Sequence, residues 1–138
     1  MWAGAVRLSD GRVLVVGGQD SIEFWPTADL YNPSAGTFSR VASKTSFSGN
    51  AAALLPDGRV LIAGGLAIPG LELTASSSAA LFDPQTETFT EIDPLSATRF
   101  GGTVTCLNDG TVLIAGGRTN YNSGHYGMSL SSAELFEP

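Results

Sequence analysis

The stretch Asp57-Gly58-Arg59-Val60-Leu61-Ile62-Ala63-Gly64-Gly65 occurs in three versions along this 138-residue chain. The other two are Asp10-Gly11-Arg12-Val13-Leu14-Val15-Val16-Gly17-Gly18 and Asp109-Gly110-Thr111-Val112-Leu113-Ile114-Ala115-Gly116-Gly117. A segment that recurs about every 50 residues is typical of stacked or radial repeat arrays. The sequence therefore predicts a repeat protein built from three copies of one unit.

Each unit begins with two β-strands joined by a tight turn. Apolar stretches, 3–8, 51–55 and 103–107, precede the Asp-Gly pairs, and a second apolar stretch follows each pair directly. Asp-Gly between two strand-like runs is the strongest short hairpin signal, because both central residues of such a turn take positive φ. We interpret the aspartates as turn formers and assign them no catalytic role. The pairs are Asp10-Gly11, Asp57-Gly58 and Asp109-Gly110.

The second strand of each unit is continuously apolar and does not alternate. Both of its faces are therefore expected to be covered by neighbouring sheets. The Gly-Gly pair after it supplies either positive φ or room for a close backbone approach. A phosphate-binding loop would need a helix after the glycines, and the sequence suggests none. These pairs are Gly17-Gly18, Gly64-Gly65 and Gly116-Gly117.

A third strand follows a loop in every unit and ends at a proline, which cannot continue the hydrogen-bond ladder. These strands lie at 28–33, 79–84 and 133–138. A fourth strand, opened by an aromatic residue, is predicted at 37–41 and at 88–92. The third unit has no fourth strand, because the sequence ends at Pro138, where that strand would begin. The prediction is an all-β protein of 4 + 4 + 3 antiparallel strands, in units of about 1–43, 44–94 and 95–138.

Four-stranded units of this length, arranged around an axis, are β-propeller blades. The run from Leu55 to Gly65 and the run from Ala133 to Pro138 resemble the kelch repeats of bacterial kelch arrays, within the galactose oxidase-like superfamily. The resemblance extends over nearly the whole chain and implies a segment of three propeller blades. The chain departs from it in the fourth strands, where Phe38 and Phe89 occupy the position of the family's tryptophan.

Three blades do not close a ring, because propellers have about 4–8 blades. Each uncovered blade face, of several hundred Å², would forfeit roughly 10 kcal/mol at ~25 cal/mol per Å². The end strands show no polar capping substitution. We therefore expect a head-to-tail homodimer that closes a six-bladed ring. Alternatively, the chain is a piece of a longer kelch protein.

The amino-acid composition argues against nucleic acid and membranes as binding partners. The net charge is −6, with 13 acidic and 7 basic residues and no basic cluster, which argues against nucleic acid. No apolar run approaches the ~18 residues of a membrane span, and the first residues lack a signal-peptide pattern. The expectation is a soluble chain without a membrane partner, in a compartment that the single cysteine leaves open. That cysteine, Cys106, is predicted to be a small buried residue.

Candidate binding residues lie in the loops between second and third strands, 19–27, 66–78 and 118–132. These loops vary in length and composition, and variable loops on a rigid scaffold are where binding residues gather. Aromatic rings beside amides and an arginine suit a carbohydrate, a peptide or a protein surface. The alternative is that the aromatic residues only pack their loops onto the blades. The predicted ligand-binding residues are Trp25, Arg118, Asn120, Tyr121, His125 and Tyr126.

Catalytic machinery is not evident. His125 is the only histidine, so neither a metal site nor a bound cofactor is predicted, and no nucleophile and base pair is recognisable. The copper site of the galactose oxidase type needs two histidines beside two tyrosines and a cysteine. Arg99 is expected to pair with a carboxylate between blades, or else to meet an acidic ligand. The resulting hypothesis is a non-enzymatic binding or scaffold module for a protein or carbohydrate partner. The alternative is part of a kelch enzyme, an oxidase or a sialic-acid isomerase, whose catalytic residues lie outside this chain.

Overall fold

The computed structural model describes residues 3–17, 27–42, 48, 50–67, 74–119, 121–122 and 125–138. Regular structure in these ranges consists of short β-strands. No helix in the described part of the chain is long and apolar enough to cross a bilayer. In chain order the strands are β1 (Gly4–Arg7), β2 (Val13–Val16), β3 (Thr27–Asn32), β4 (Thr37–Ala42), β5 (Ala51–Leu54), β6 (Val60–Ala63), β7 (Leu66–Ala67), β8 (Thr74–Ala75), β9 (Ala79–Asp83), β10 (Thr88–Ile92), β11 (Thr103–Cys106), β12 (Val112–Ala115), β13 (Tyr121–Asn122), β14 (His125–Tyr126) and β15 (Ala133–Phe136).

Three antiparallel sheets form the blades. Blade 1 has the strand order β1-β2-β3-β4, blade 2 the order β5-β6-β9-β10, and blade 3 the order β11-β12-β15. The first strands of the three blades contact one another in series, β1 with β5 and β5 with β11, and β4 contacts β10. The predicted all-β fold with 4 + 4 + 3 strands is confirmed. Two further hairpins, β7-β8 and β13-β14, were not predicted.

The Asp-Gly turns differ from the predicted type. The glycines have φ near +90°, but the aspartates are absent from the described non-glycine residues with positive φ. In blade 1 the Gly11 amide donates to the Leu8 carbonyl at 3.0 Å, and the Leu8 amide donates to the Arg12 carbonyl at 2.8 Å. This is the longer hairpin loop in which only the last turn residue is left-handed. The aspartate contributes through its side chain instead.

The apolar core lies between blades. Leu14 and Val16 of β2 pack against Val60 and Ile62 of β6, and all four side chains are fully buried. On the other side of blade 2, Leu61 belongs to a second cluster with residues of β12. Because successive residues of a strand point to opposite faces, β6 is buried at every position, as its continuous apolar run predicts.

The outer blades are covered on one face only. Buried and half-buried residues alternate along β2 and along β12, with the buried ones facing blade 2. The uncovered faces of blades 1 and 3 therefore carry apolar residues that the equivalent positions of blade 2 bury. Cys106 lies at the end of β11 and is half-buried, which corrects the prediction that it is fully buried.

Candidate binding face

The two ends of the blades differ in construction. One end, the turn face, carries the Asp-Gly loops and the turns between third and fourth strands at 33–36 and 84–87. The other end, the hairpin face, carries the β7-β8 and β13-β14 hairpins and the linker 93–102 from blade 2 to blade 3. Strands alternate in direction within each sheet, so every connection of one kind lies at the same end.

The aspartates of the Asp-Gly loops on the turn face accept hydrogen bonds within their own loops. The Asp10 carboxylate accepts from the Arg12 amide at 2.9 Å, and Asp57 accepts from the Arg59 amide at the same distance. The hydrogen bond from the Arg12 amide lowers the pKa of Asp10, and the one from the Arg59 guanidinium lowers the pKa of Asp57. These aspartates are therefore anionic turn anchors, in agreement with their interpretation as structural residues.

Arg12 also joins blades on the turn face. Its guanidinium donates to the Pro84 carbonyl at 2.7 Å and forms an ion pair with Glu87 of blade 2. Glu87 has a φ of +54°, the only non-glycine residue with positive φ in the described ranges. In blade 1 the equivalent turn position is Gly36, with φ +66°.

The hairpin face rests on a small apolar cluster of its own. Phe100 of the linker packs with Leu66 and Ala75 of the β7-β8 hairpin, and each is at least nine-tenths buried. The Phe100 amide donates to the Arg118 carbonyl at 3.0 Å, and the Arg118 amide donates back to Phe100 at 2.9 Å. The β13 strand contacts β8 of the neighbouring blade. The two hairpins thus form one continuous surface anchored to the linker.

A buried ion pair holds the linker to blade 3. Arg99 is 3% exposed, and its guanidinium donates to Glu134 Oε1 at 2.7 Å and to the Gly116 carbonyl at 2.7 Å. The Ser96 amide donates to the other oxygen of Glu134 at 2.7 Å. Burial alone raises the pKa of Glu134, but the hydrogen bonds from Ser96 and Arg99 outweigh it and hold that pKa below its ordinary value. The prediction that Arg99 pairs with a carboxylate is confirmed, but the pair joins the linker to blade 3 and does not bridge two blades.

The Gly-Gly pairs permit this linker to cross the blade ends. Gly64 has φ +69°, and its amide donates to Ser78 while the next amide, of Gly65, donates to the Arg99 carbonyl at 2.8 Å. A Cβ at Gly65 would lie 2.7 Å from the Ser48 carbonyl oxygen. Both anticipated reasons for the glycines, positive φ and close backbone approach, apply together.

The predicted binding residues fall unevenly on this face. Trp25 and Asn120 lie outside the described residues. Tyr121 and Tyr126 are backbone register partners across the β13-β14 hairpin, and His125 pairs with Asn122. Arg118 is exposed and also bridges Ser129 through its backbone. The structure therefore brings three of the predicted residues into one hairpin, with Arg118 at its base.

Sequence reasoning missed the hairpins and the role of Phe100 beneath them. Two-residue strands show no periodicity, so the loops looked irregular. The signal available was the aromatic residue directly after Arg99, in a linker whose only other large apolar residue is Leu95. Within the described ranges, no group of three or more His, Cys, Asp or Glu side chains is arranged to hold a metal ion.

Comparison with known proteins identifies the repeat. No family model matches the chain. An F-box/kelch-repeat protein from Arabidopsis thaliana is 32% identical over 124 residues, which cover 87% of this chain. The chain is thus similar to a kelch-repeat protein, in line with the resemblance of its repeats to kelch repeats. It spans 32% of the length of that plant relative.

A solved structure, that of YjhT, has the same architecture as these kelch repeats. It superposes with a TM-score of 0.72 over 96% of this chain and 40% of its own length, at 19% identity. At that identity the likeness establishes the fold. The kelch-repeat segment is thus a β-propeller-type module.

Proposed function

We propose that this kelch-repeat segment is a non-enzymatic binding module whose hairpin face takes a protein or carbohydrate partner. The observation that carries the proposal is the difference between the two ends of the blades. The turn face consists of short, repeated loops whose aspartate carboxylates accept hydrogen bonds within the same loop. The hairpin face carries two additional hairpins of different sequence, β7-β8 and β13-β14, on an anchored base.

The composition of the β13-β14 hairpin supports a ligand with both polar groups and flat apolar surface. Its four described residues are Tyr121, Asn122, His125 and Tyr126. Arg118, which is exposed, lies three residues before the hairpin in the chain. Aromatic rings supply contact area at low entropic cost, and amide and guanidinium groups fix orientation. Such a set suits the faces of sugar rings or the backbone of an extended peptide.

The test uses the chain with Arg118→Ala and, separately, Tyr121→Ala with Tyr126→Ala, applied to glycan and peptide arrays. We expect each variant to lose at least about tenfold in capture of whichever probe the unmodified chain retains, because a central aromatic or arginine contact contributes roughly 2 kcal/mol. Trp25→Ala extends the test to the loop of blade 1.

Arg59→Ala is the matched control, because it removes an arginine from the turn face. Its capture should equal that of the unmodified chain. Equal loss in Arg59→Ala and Arg118→Ala would contradict the assignment of the ligand to the hairpin face, and unchanged capture in the tyrosine variant would reject these residues as the site.

A further inference from the structure

The uncovered face of blade 3, which we call the tail face, is an apolar surface. Its residues are equivalent to those that blades 1 and 2 bury against the next blade. Leu113 of β12 and Leu135 of β15 are register partners and therefore lie side by side on it. The corresponding residue of β9 in blade 2, Leu81, is 8% exposed, and that of β3 in blade 1, Leu30, is 2% exposed. Leu135 is 65% exposed. The tail face thus lacks the cover that both equivalent faces have.

The uncovered face of blade 1, which we call the head face, carries the apolar residues that would complete an interface with the tail face. Val13 and Tyr31 are register partners on it, and Phe38 continues the row. The Phe38 ring packs against Tyr31 with centroids 4.8 Å apart and is otherwise 67% exposed. In blade 2 the same row lies between blades: Phe82 is fully buried, and the partly buried Phe89 packs against it with ring centroids 4.9 Å apart.

The two internal interfaces show how these faces combine. Between blades 1 and 2, Leu14 and Leu30 share a cluster with Val60 and Phe82. Between blades 2 and 3, the same pairing recurs: a cluster joins Leu61 and Leu81 to Val112 and Phe136. A leucine pair from one blade thus meets a valine and an aromatic residue from the next at both interfaces. The tail face presents the leucine pair, and the head face presents Val13 with Tyr31.

From this repetition we infer that the tail face binds the head face of a second copy of this chain. The contact is head to tail, and a two-fold arrangement makes it twice, so that six blades complete a ring within the known range of about four to eight. The inference does not depend on the proposed ligand. In such a ring the hairpin faces of both copies point to the same side.

Polar residues occur at the margin of the tail face and on the head face. The first-strand edge of the tail face carries Thr103 and Thr105, where blade 2 has alanines. The head face carries Asp29 and Arg40, whose side chains pair at 3.6 Å within blade 1. Asp29 is the register partner of Val15 and takes the position of Ala80 in blade 2, which is 1% exposed. These polar residues lie outside the end strands 3–6 and 111–114, in which no polar capping substitution is found, and the central apolar pairs are retained. A polar rim around an apolar centre is the usual anatomy of a protein interface.

The test is the molar mass in solution, measured by light scattering at micromolar concentration. The unmodified chain should show twice its mass of 14.2 kDa. Leu135→Glu on the tail face and Phe38→Glu on the head face should each reduce the mass to that of one chain, because each introduces a charge into one half of the contact. Met128→Glu is the matched control, since Met128 is 80% exposed in the loop preceding blade 3's last strand. It should leave the dimer intact.

An equimolar mixture of Leu135→Glu and Phe38→Glu tests the direction of the contact. Each variant keeps one intact face, so the mixture should recover association that neither variant shows alone. If Phe38→Glu alone remains a dimer, the contact is not head to tail and the inference is wrong. A chain that stays at 14.2 kDa without substitution also overturns it, and points to other blades of a longer polypeptide as the cover. Circular dichroism verifies folding, and Ala133→Glu on the same face replaces Leu135→Glu if that variant unfolds.

Discussion

Gly64 lies where the linker between blades 2 and 3 crosses the end of β6. Its φ of +69° disfavours any residue with a Cβ, and a Cβ there would overlap the carbonyl oxygen of Arg99. Gly58, in the Asp-Gly loop of the same blade, has φ +90° but open space around it. Substitution of Gly58 therefore measures the cost of the left-handed backbone conformation alone. Substitution of Gly64 measures that cost together with the cost of overlap with the neighbouring backbone.

Gly64→Ala should destabilise the chain more than Gly58→Ala. The left-handed conformation costs about 1–2 kcal/mol in both variants, and the overlap with Arg99 adds roughly 1–3 kcal/mol at Gly64 alone. Urea unfolding of the two variants measures the difference. Equal losses would mean that the linker moves away from β6 without cost.

At the scale of elements, contacts between blades decide which charged groups matter. Arg99 and Glu134 join the linker to β15, with side chains 3% and 17% exposed. Arg40 and Asp29 also pair across two strands, but these side chains are 68% and 37% exposed. Water screens the second pair, whereas loss of one partner from the first leaves a buried charge.

Arg99→Ala should therefore lower the free energy of unfolding by about 3–5 kcal/mol, the usual cost of removing one partner from a buried pair. Arg40→Ala, the matched control, should lower it by less than about 1 kcal/mol. Chemical denaturation at neutral pH provides the comparison. A similar effect of the two substitutions would contradict the structural role of the Arg99 linkage.

At the scale of the whole molecule, blade 2 is the one blade whose described strands are covered on both faces. An apolar cluster fills each of the two interfaces between blades. The outer faces of blades 1 and 3 each carry the residues of one side of such a cluster. Association of two copies would couple folding to protein concentration, because anything that binds only the folded state stabilises it by mass action.

The melting temperature of the unmodified chain should accordingly rise with protein concentration, while that of Leu135→Glu should stay constant. A tenfold increase in concentration adds about 1.4 kcal/mol to the stability of an associating system. Differential scanning calorimetry over two decades of concentration is the measurement. Parallel curves for both proteins would argue against the dimer.

The short-range sequence pattern predicted the strands of the blades correctly, but it did not predict the structure of the loops. The third strand of blade 2, Ala79–Asp83, and its fourth, Thr88–Ile92, occur where the terminating proline and the aromatic residue predict them. The Asp-Gly turns were assigned the wrong type, because loop length as well as residue identity selects the turn. The hairpin at 121–126 was missed, because it is too short to show a period. The ligand-binding role of its residues stays a prediction.

The sequence by itself determined the all-β class, the three repeats and the 4 + 4 + 3 strand count, since these follow from apolar runs and turn residues that act locally. Only the tertiary structure decided which residues of each strand face a neighbouring blade, which carboxylate Arg99 meets, and how Phe100 supports the hairpin face. Those contacts join residues far apart in the chain, and their free energy depends on burial between blades, which no single segment specifies.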